Sequence, residues 1–132
     1  MSQSLVSIIV ANFNGEAYLN TCLNSILSSS WEKFELLIID DASQDKSLEI
    51  IQKFGKKDQR IAILRNSQNL GAAASRNKAI KISRGEIIVF LDNDTQVERD
   101  FLKELIQPLI LREKVGGAQA LILDFHKRDL IQ

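Results

Sequence analysis

The chain has 132 residues, 45% apolar and 26% charged, which is the balance of one compact domain and not of a disordered or fibrous chain. Its 17 Lys and Arg match its 17 Asp and Glu, so the zero net charge gives no electrostatic reason to expect a nucleic-acid partner. One cysteine excludes an internal disulfide, Met1-Ser2-Gln3-Ser4 lacks the basic n-region of a signal peptide, and no apolar run approaches the roughly 18 residues of a membrane span.

Leu5 to Ala11 is a continuous apolar run and predicts the first strand. From Ala17 to Leu27 the period changes, and Leu19, Leu23, Ile26 and Leu27 fall on one helical face. Phe34 to Ile39 is the second strand. Ser43 reads as the N-cap of a helix carrying Leu48, Ile51 and Phe54, with Gly55 at its end. Lys53 to Lys57 then reads as a solvated basic turn. Ile61 to Leu64 is a short third strand, and Ala72 to Ile82 an Ala-rich helix that stops before Gly85. Glu86 to Leu91 is the fourth strand. Phe101, Leu102, Leu105, Ile106 and Leu109 define a further helix, which Pro108 should kink or divide. Val115 to Leu123 reads as a fifth strand, loosened at Gly116-Gly117. This unbroken alternation predicts an α/β fold, a Rossmann-like three-layer sandwich on a mainly parallel sheet.

The fourth strand carries the most chemistry. Its run of β-branched and apolar residues reads as buried on both faces and stops at Asp92-Asn93-Asp94. Open α/β sheets bind ligands beyond the carboxyl ends of their strands. Side chains two apart on an extended backbone point the same way, so both carboxylates should enter one crevice. Their repulsion calls for a cation, and a hard divalent ion would keep a substrate phosphate in its shell. Asn12 and Asn14 follow the first strand and Asp40-Asp41 the second. If the first and fourth strands are neighbours, all three groups line one rim at a topological switch point. Helix capping is an equally good account of Asp40-Asp41 taken alone.

Four segments together resemble a known family: Val6 to Asn14, Leu37 to Asp45, Asn69-Leu70-Gly71 through Arg76-Asn77, and Asp92-Asn93-Asp94. In this order and spacing the chain resembles the N-terminal half of a family 2 glycosyltransferase, with the GT-A fold. Ala11 stands where many members have proline. The resemblance implies a metal-dependent, inverting transferase that moves a sugar from a nucleotide-diphosphate donor, UDP- or dTDP-linked, to an acceptor hydroxyl. It implies that Ala11, Asn12, Phe13 and Asn14 lie against the nucleobase and ribose, and that Asp40 or Asp41 bonds the pyrimidine. Asn69, Gly71, Arg76 and Asn77 would shape the pocket floor. Asp94 would hold Mn2+ or Mg2+, with Asp92 a second ligand through water or a contact to the ribose.

By the same resemblance the acceptor is a saccharide, a lipid-linked group or a protein. The setting is polysaccharide biosynthesis in the cytoplasm, at the membrane face but without a transmembrane segment. Family enzymes continue well past this length, and the continuation carries the acceptor site. The expectation is therefore a truncated GT-A domain over residues 1–132, its general base beyond Gln132 and Asp124 unassigned.

Two rival readings stand. Val89 to Thr95 also fits the hhhDxDxT motif of haloacid-dehalogenase phosphatases, with Asp92 as nucleophile and Asp94 as acid/base. A non-catalytic nucleotide-binding module would show the same donor residues. Among isolated residues, Cys22 reads as a buried structural thiol, Trp31 as a loop-packing aromatic and His126 as a surface residue.

Overall fold

The computed structural model describes residues 3–123. Strands β1 (Val6–Asn12), β2 (Phe34–Asp40), β3 (Ile61–Arg65) and β4 (Ile87–Asp92) alternate with helices α1 (Glu16–Leu27), α2 (Ser47–Lys57), α3 (Ala72–Ile82) and α4 (Phe101–Leu111). All strand pairs are parallel, in the order β3-β2-β1-β4.

Alternation along each strand sorts the side chains into two cores. Val6, Ile8, Val10, Leu36, Ile38 and Val89 face Leu19, Leu23 and Ile26 of α1, Ile51 of α2, and Leu102 and Ile106 of α4. On the opposite face Ile9, Leu37 and Ile39 meet Ala79 of α3. Helices on both faces give the expected three-layer α/β sandwich. Trp31 packs against the larger core and donates its indole N–H to the Ser4 carbonyl at 3.2 Å. No helix of the described residues is long and apolar enough to cross a membrane.

Five local expectations are corrected. First, β4 is not buried on both faces: Ile88 is 37% exposed and Phe90 49%. It is an edge strand of the described sheet, and α3 packs on β1 and β2, leaving the outer face of β4 open. Second, residues 115–123 form no strand beyond a single bridge position at Leu123. Leu121, Ile122 and Leu123 are exposed, so this segment has neither the pairing nor the burial that stabilises a strand. Third, the cap of α2 is Lys46, and Ser43 serves another purpose given below. Fourth, α2 runs through Gly55 to Lys57, so Lys53 to Lys57 is helical. A Cβ at Gly55 would come within 2.9 Å of Ile63 Cδ1, so this glycine permits close packing of α2 on β3 and does not end the helix. Fifth, α4 continues undivided through Pro108. Proline there removes one backbone donor, while burial of Leu102 and Ile106 holds the helix in place.

Candidate functional site

Parallel register carries the polar ends of the strands to one rim. Asn12 pairs with Asp40, and Ala11 with Asp92. The chain leaves β1 toward β2 on one side, while β4 adds on the other, so the β1/β4 boundary is the topological switch point.

Asp40 is 1% exposed and anchors the β1 side of this rim. Its Oδ1 accepts from Ser43 Oγ at 2.6 Å and from Asn12 Nδ2 at 3.1 Å, and its Oδ2 accepts from the Ser43 amide at 3.1 Å. Ser43 Oγ also accepts from the Asn14 amide at 2.9 Å. The loops after β1 and β2 are laced further in both directions. The Gln44 amide donates to Asn14 Oδ1, the Gly15 amide to Ser47 Oγ, the Glu16 amide to Asp45 Oδ2 and the Lys46 amide to Glu16 Oε2. Asn14 and Ala42 hold positive φ of 51° and 60° within this lacing.

Asp41 anchors the other side. Oδ1 accepts from the Leu70 amide and Asn66 Nδ2, both at 2.8 Å, and Oδ2 from the Gly71 amide at 2.9 Å. Burial alone would raise the pKa of this carboxyl. The Leu70, Asn66, Gly71 and Ser75 hydrogen bonds outweigh it and hold the group below the usual range. Asn66 Nδ2 also reaches Ser75 Oγ, and Lys78 Nζ donates to Asn66 Oδ1 at 2.8 Å. The two aspartates thus act first as loop anchors, each with most of its acceptor capacity occupied.

The third cluster departs from the strand argument. β4 ends at Asp92, and Asn93 and Asp94 lie in a turn, so strand alternation does not align the two carboxylates. The Asp92 carbonyl closes the turn, accepting from Thr95 Oγ1 at 2.8 Å and the Thr95 amide at 3.3 Å. The buried Cys22 thiol, on α1, donates to the same carbonyl at 3.6 Å. Both carboxylates of the turn are exposed. Arg76 Nη2 on α3 binds Asp92 Oδ1 at 2.8 Å.

The structure therefore brings Ala11, Asn12, Asp40, Asp41, Gly71, Arg76 and Asp92 to one end of the sheet, with Asp94 in the adjoining turn. Phe13, Asn14, Asn69 and Asn77 are exposed on the loops and on α3. Sequence reasoning missed Asn66, which follows β3 directly. The rule that drew attention to the other strand ends would have found it. It also missed Gly15 and Asn93, whose roles depend on contacts across the rim.

Comparison with known proteins assigns this architecture. The chain overlays the crystal structure of S. aureus TarS 1-349 with a TM-score of 0.70 and 31% identity, covering 75% of this chain and 30% of that one. The same protein in complex with UDP-GlcNAc matches equally, at TM-score 0.70. The fold is thus that of the GT-A glycosyltransferases. Residues 7–124 match the family described as Glycosyl transferase family 2, and the chain belongs to that family. It is 36% identical over 107 residues to a putative glycosyltransferase, EpsH, of Bacillus subtilis, covering 81% of this chain and 31% of the relative. It is 34% identical over 108 residues to a putative teichuronic acid biosynthesis glycosyltransferase, TuaG, of the same organism, covering 82% and 43%. The chain therefore spans less than half the length of these relatives. Family membership removes the phosphatase reading of Asp92-Asn93-Asp94.

Proposed function

We propose that this chain supplies the donor-binding part of an inverting, metal-dependent glycosyltransferase that uses a UDP- or dTDP-linked sugar. The observation that carries the reading is the convergence of Asn12, Asp40-Asp41 and the Asp92–Asp94 turn on one rim at the switch point, with Arg76 on Asp92. TarS, the 31% identical structural relative, has been solved with UDP and with UDP-GlcNAc. The relation to TuaG supports a role in polysaccharide assembly, with a saccharide, lipid-linked or protein acceptor.

In this reading the loop from Ala11 to Asn14 and the ordered Asn69–Gly71 segment cradle the nucleoside, and Asp40 and Asp41 hold those loops in shape. Arg76 and Asn77 would shape the floor of the pocket, Arg76 beside Asp92.

The residues of the turn fit a hard divalent ion that arrives with its substrate. Asp92 and Asp94 offer carboxylate oxygens at an open position, and such ions are bound through one or two carboxylates plus substrate phosphates. Among the described residues no larger acidic or His/Cys cluster forms a closed cage. Asp94, with Asp92, would hold Mn2+ or Mg2+, which would neutralise the charge developing on the nucleoside diphosphate. Arg76 adds a fixed positive charge on the same side. Inversion also needs a carboxylate base for the acceptor hydroxyl, and we assign none of the described residues to it.

The test is isothermal titration of UDP, dTDP and GDP in Mn2+ and in EDTA, with Asp94→Asn alongside the parent chain. Metal-dependent binding of a pyrimidine diphosphate that is lost in the variant supports the reading. Metal-independent binding, or binding unaffected by the variant, would overturn its metal part. No binding of any nucleotide would overturn the whole.

A further inference from the structure

The middle residue of the turn points away from the open side and back under the rim. Asn93 Nδ2 donates to Asn12 Oδ1 at 2.8 Å. Asn12 is 1% exposed, and its own Nδ2 reaches Asp40 Oδ1 at 3.1 Å and Ser43 Oγ at 3.2 Å. These directions determine one another. A carboxylate oxygen accepts, so Asn12 must turn its NH2 to Asp40 and its carbonyl to Asn93, which in turn must present its NH2. The result is a continuous polar chain, Asn93–Asn12–Asp40/Ser43–Asn14, from the end of β4 across β1 to the loop after β1.

Gly15 shows independently that the structure accommodates this pair. A Cβ at Gly15 would collide with Asn12 Oδ1 and Asn93 Nδ2, the two atoms that bond. The start of α1 thus lies directly over the bond, and any side chain there would displace one partner.

We propose, building on the donor-site reading above, that Asn93 is a positioning residue: through Asn12 it couples the Asp92–Asp94 turn to the loop that receives the nucleoside. A turn carrying two exposed carboxylates must hold its shape before a metal diphosphate arrives, or pay in ordering when it does. The Asn93–Asn12 bond fixes that shape relative to the nucleoside loop, so ordering one half of the pocket favours the other. The metal-dependent gain in nucleotide affinity, rather than affinity as such, is the quantity it sets.

The test has two readouts, both on the full chain. The first needs no ligand: backbone amide shifts of Asn93→Ala against the parent. Movement at Asn14 and Ser43 is expected, and shifts confined to residues 92–95 would overturn the coupling whether or not nucleotide binds. The second is the ratio of UDP dissociation constants in EDTA and in Mn2+. Losing one such bond should cut this ratio about fivefold in Asn93→Ala and in Asn93→Asp, which is isosteric but sets an acceptor against Asn12 Oδ1. UDP affinity in EDTA should change less than about twofold. Gly15→Ala attacks the same pair from the opposite side and should lower the ratio too. A role confined to stability would lower the melting temperature and leave the ratio intact, which would overturn the proposal. Failure of the parent chain to bind UDP would overturn the donor-site reading separately, and the amide shifts would still decide the coupling.

Discussion

Arg76 Nη2, on α3, sits 2.8 Å from Asp92 Oδ1 at the end of β4. The pair is largely exposed on the Asp92 side, 66% by side chain, so its direct contribution to folding is about 1 kcal/mol or less. Its value to a bound diphosphate is larger, because a charge-assisted bond to phosphate is worth about 1.5–3 kcal/mol. Arg76→Met should therefore weaken UDP binding in Mn2+ by about tenfold or more while shifting the melting temperature little. Titration calorimetry and a thermal melt on the same samples check both parts.

Asp41→Asn should cost about 2–3 kcal/mol, because the new NH2 group would face the amide donors of Leu70 or Gly71 in a buried site. The same carboxyl gives a pH signature. Its folded pKa is lowered from the ordinary 3.8, so its stabilisation is complete above that value and is lost as pH falls through the lower, folded one. Urea midpoints followed from pH 6 down to about pH 2.5 should fall less steeply in the variant than in the parent.

Glu35, on β2 in register with Ser7 of β1, lies at the opposite end of the sheet from the candidate site. Its Oε1 accepts from Ser7 Oγ and from the Arg84 amide, both at 2.6 Å, and its Oε2 from Arg84 Nε at 2.9 Å. Burial pushes this carboxyl up, but the Arg84 amide, Ser7 and the Arg84 side chain together bring it below its usual value. The Arg84 side chain is 76% exposed, so the guanidinium contributes least to the fold. Glu35→Gln, which keeps Oε1, should cost less than about 1 kcal/mol, and Glu35→Ala about 2–3 kcal/mol. Urea denaturation separates the two, and UDP affinity should be unchanged in both.

Ala42 adopts φ of 60°, a conformation that costs a residue with a Cβ about 1–2 kcal/mol. Glycine relieves this at an entropic cost of about 0.5–1 kcal/mol. Ala42→Gly should therefore stabilise the chain by about 0.5–1 kcal/mol, read as a higher urea midpoint at constant m-value.

Burial pushes the Cys22 thiol up to about 11, the Thr95 hydrogen bond opposing it only in part. Native protein should therefore react with a disulfide reagent at a rate that follows unfolding across a urea series, not at the rate of an exposed thiol.

Local pattern predicted most elements because strand and helix periods alternate cleanly; the limits of α3 fall on the same residues in sequence and structure. The rim was legible for a related reason: polar residues that end apolar runs are brought together by parallel register. Properties set by distant neighbours were not legible. Nothing local in Ile88 or Phe90 says that β4 stands at an edge of the described sheet. Gly55 looks like a terminator until Ile63 is placed beneath it. Asp94 follows Asp92 at strand spacing, yet Thr95 turns the chain between them. The network of Asn66 was not legible because its partners, Asp41, Ser75 and Lys78, come from three other places in the chain.

The Asp40-Asp41 peptide has one more consequence. Asp40 ends β2 and Asp41 follows it directly, and one carboxylate grips the Ser43 side of the rim while the other grips Asn66, Leu70 and Gly71. A slip of β2 by a single position would present each acid to the wrong loop. The apolar residues of β2 are buried on both faces and would tolerate such a slip far better than a strand with one wet face. The dipeptide thus serves as a register key at the carboxyl end of β2, as Glu35, bonded to Ser7 and Arg84, does at its start.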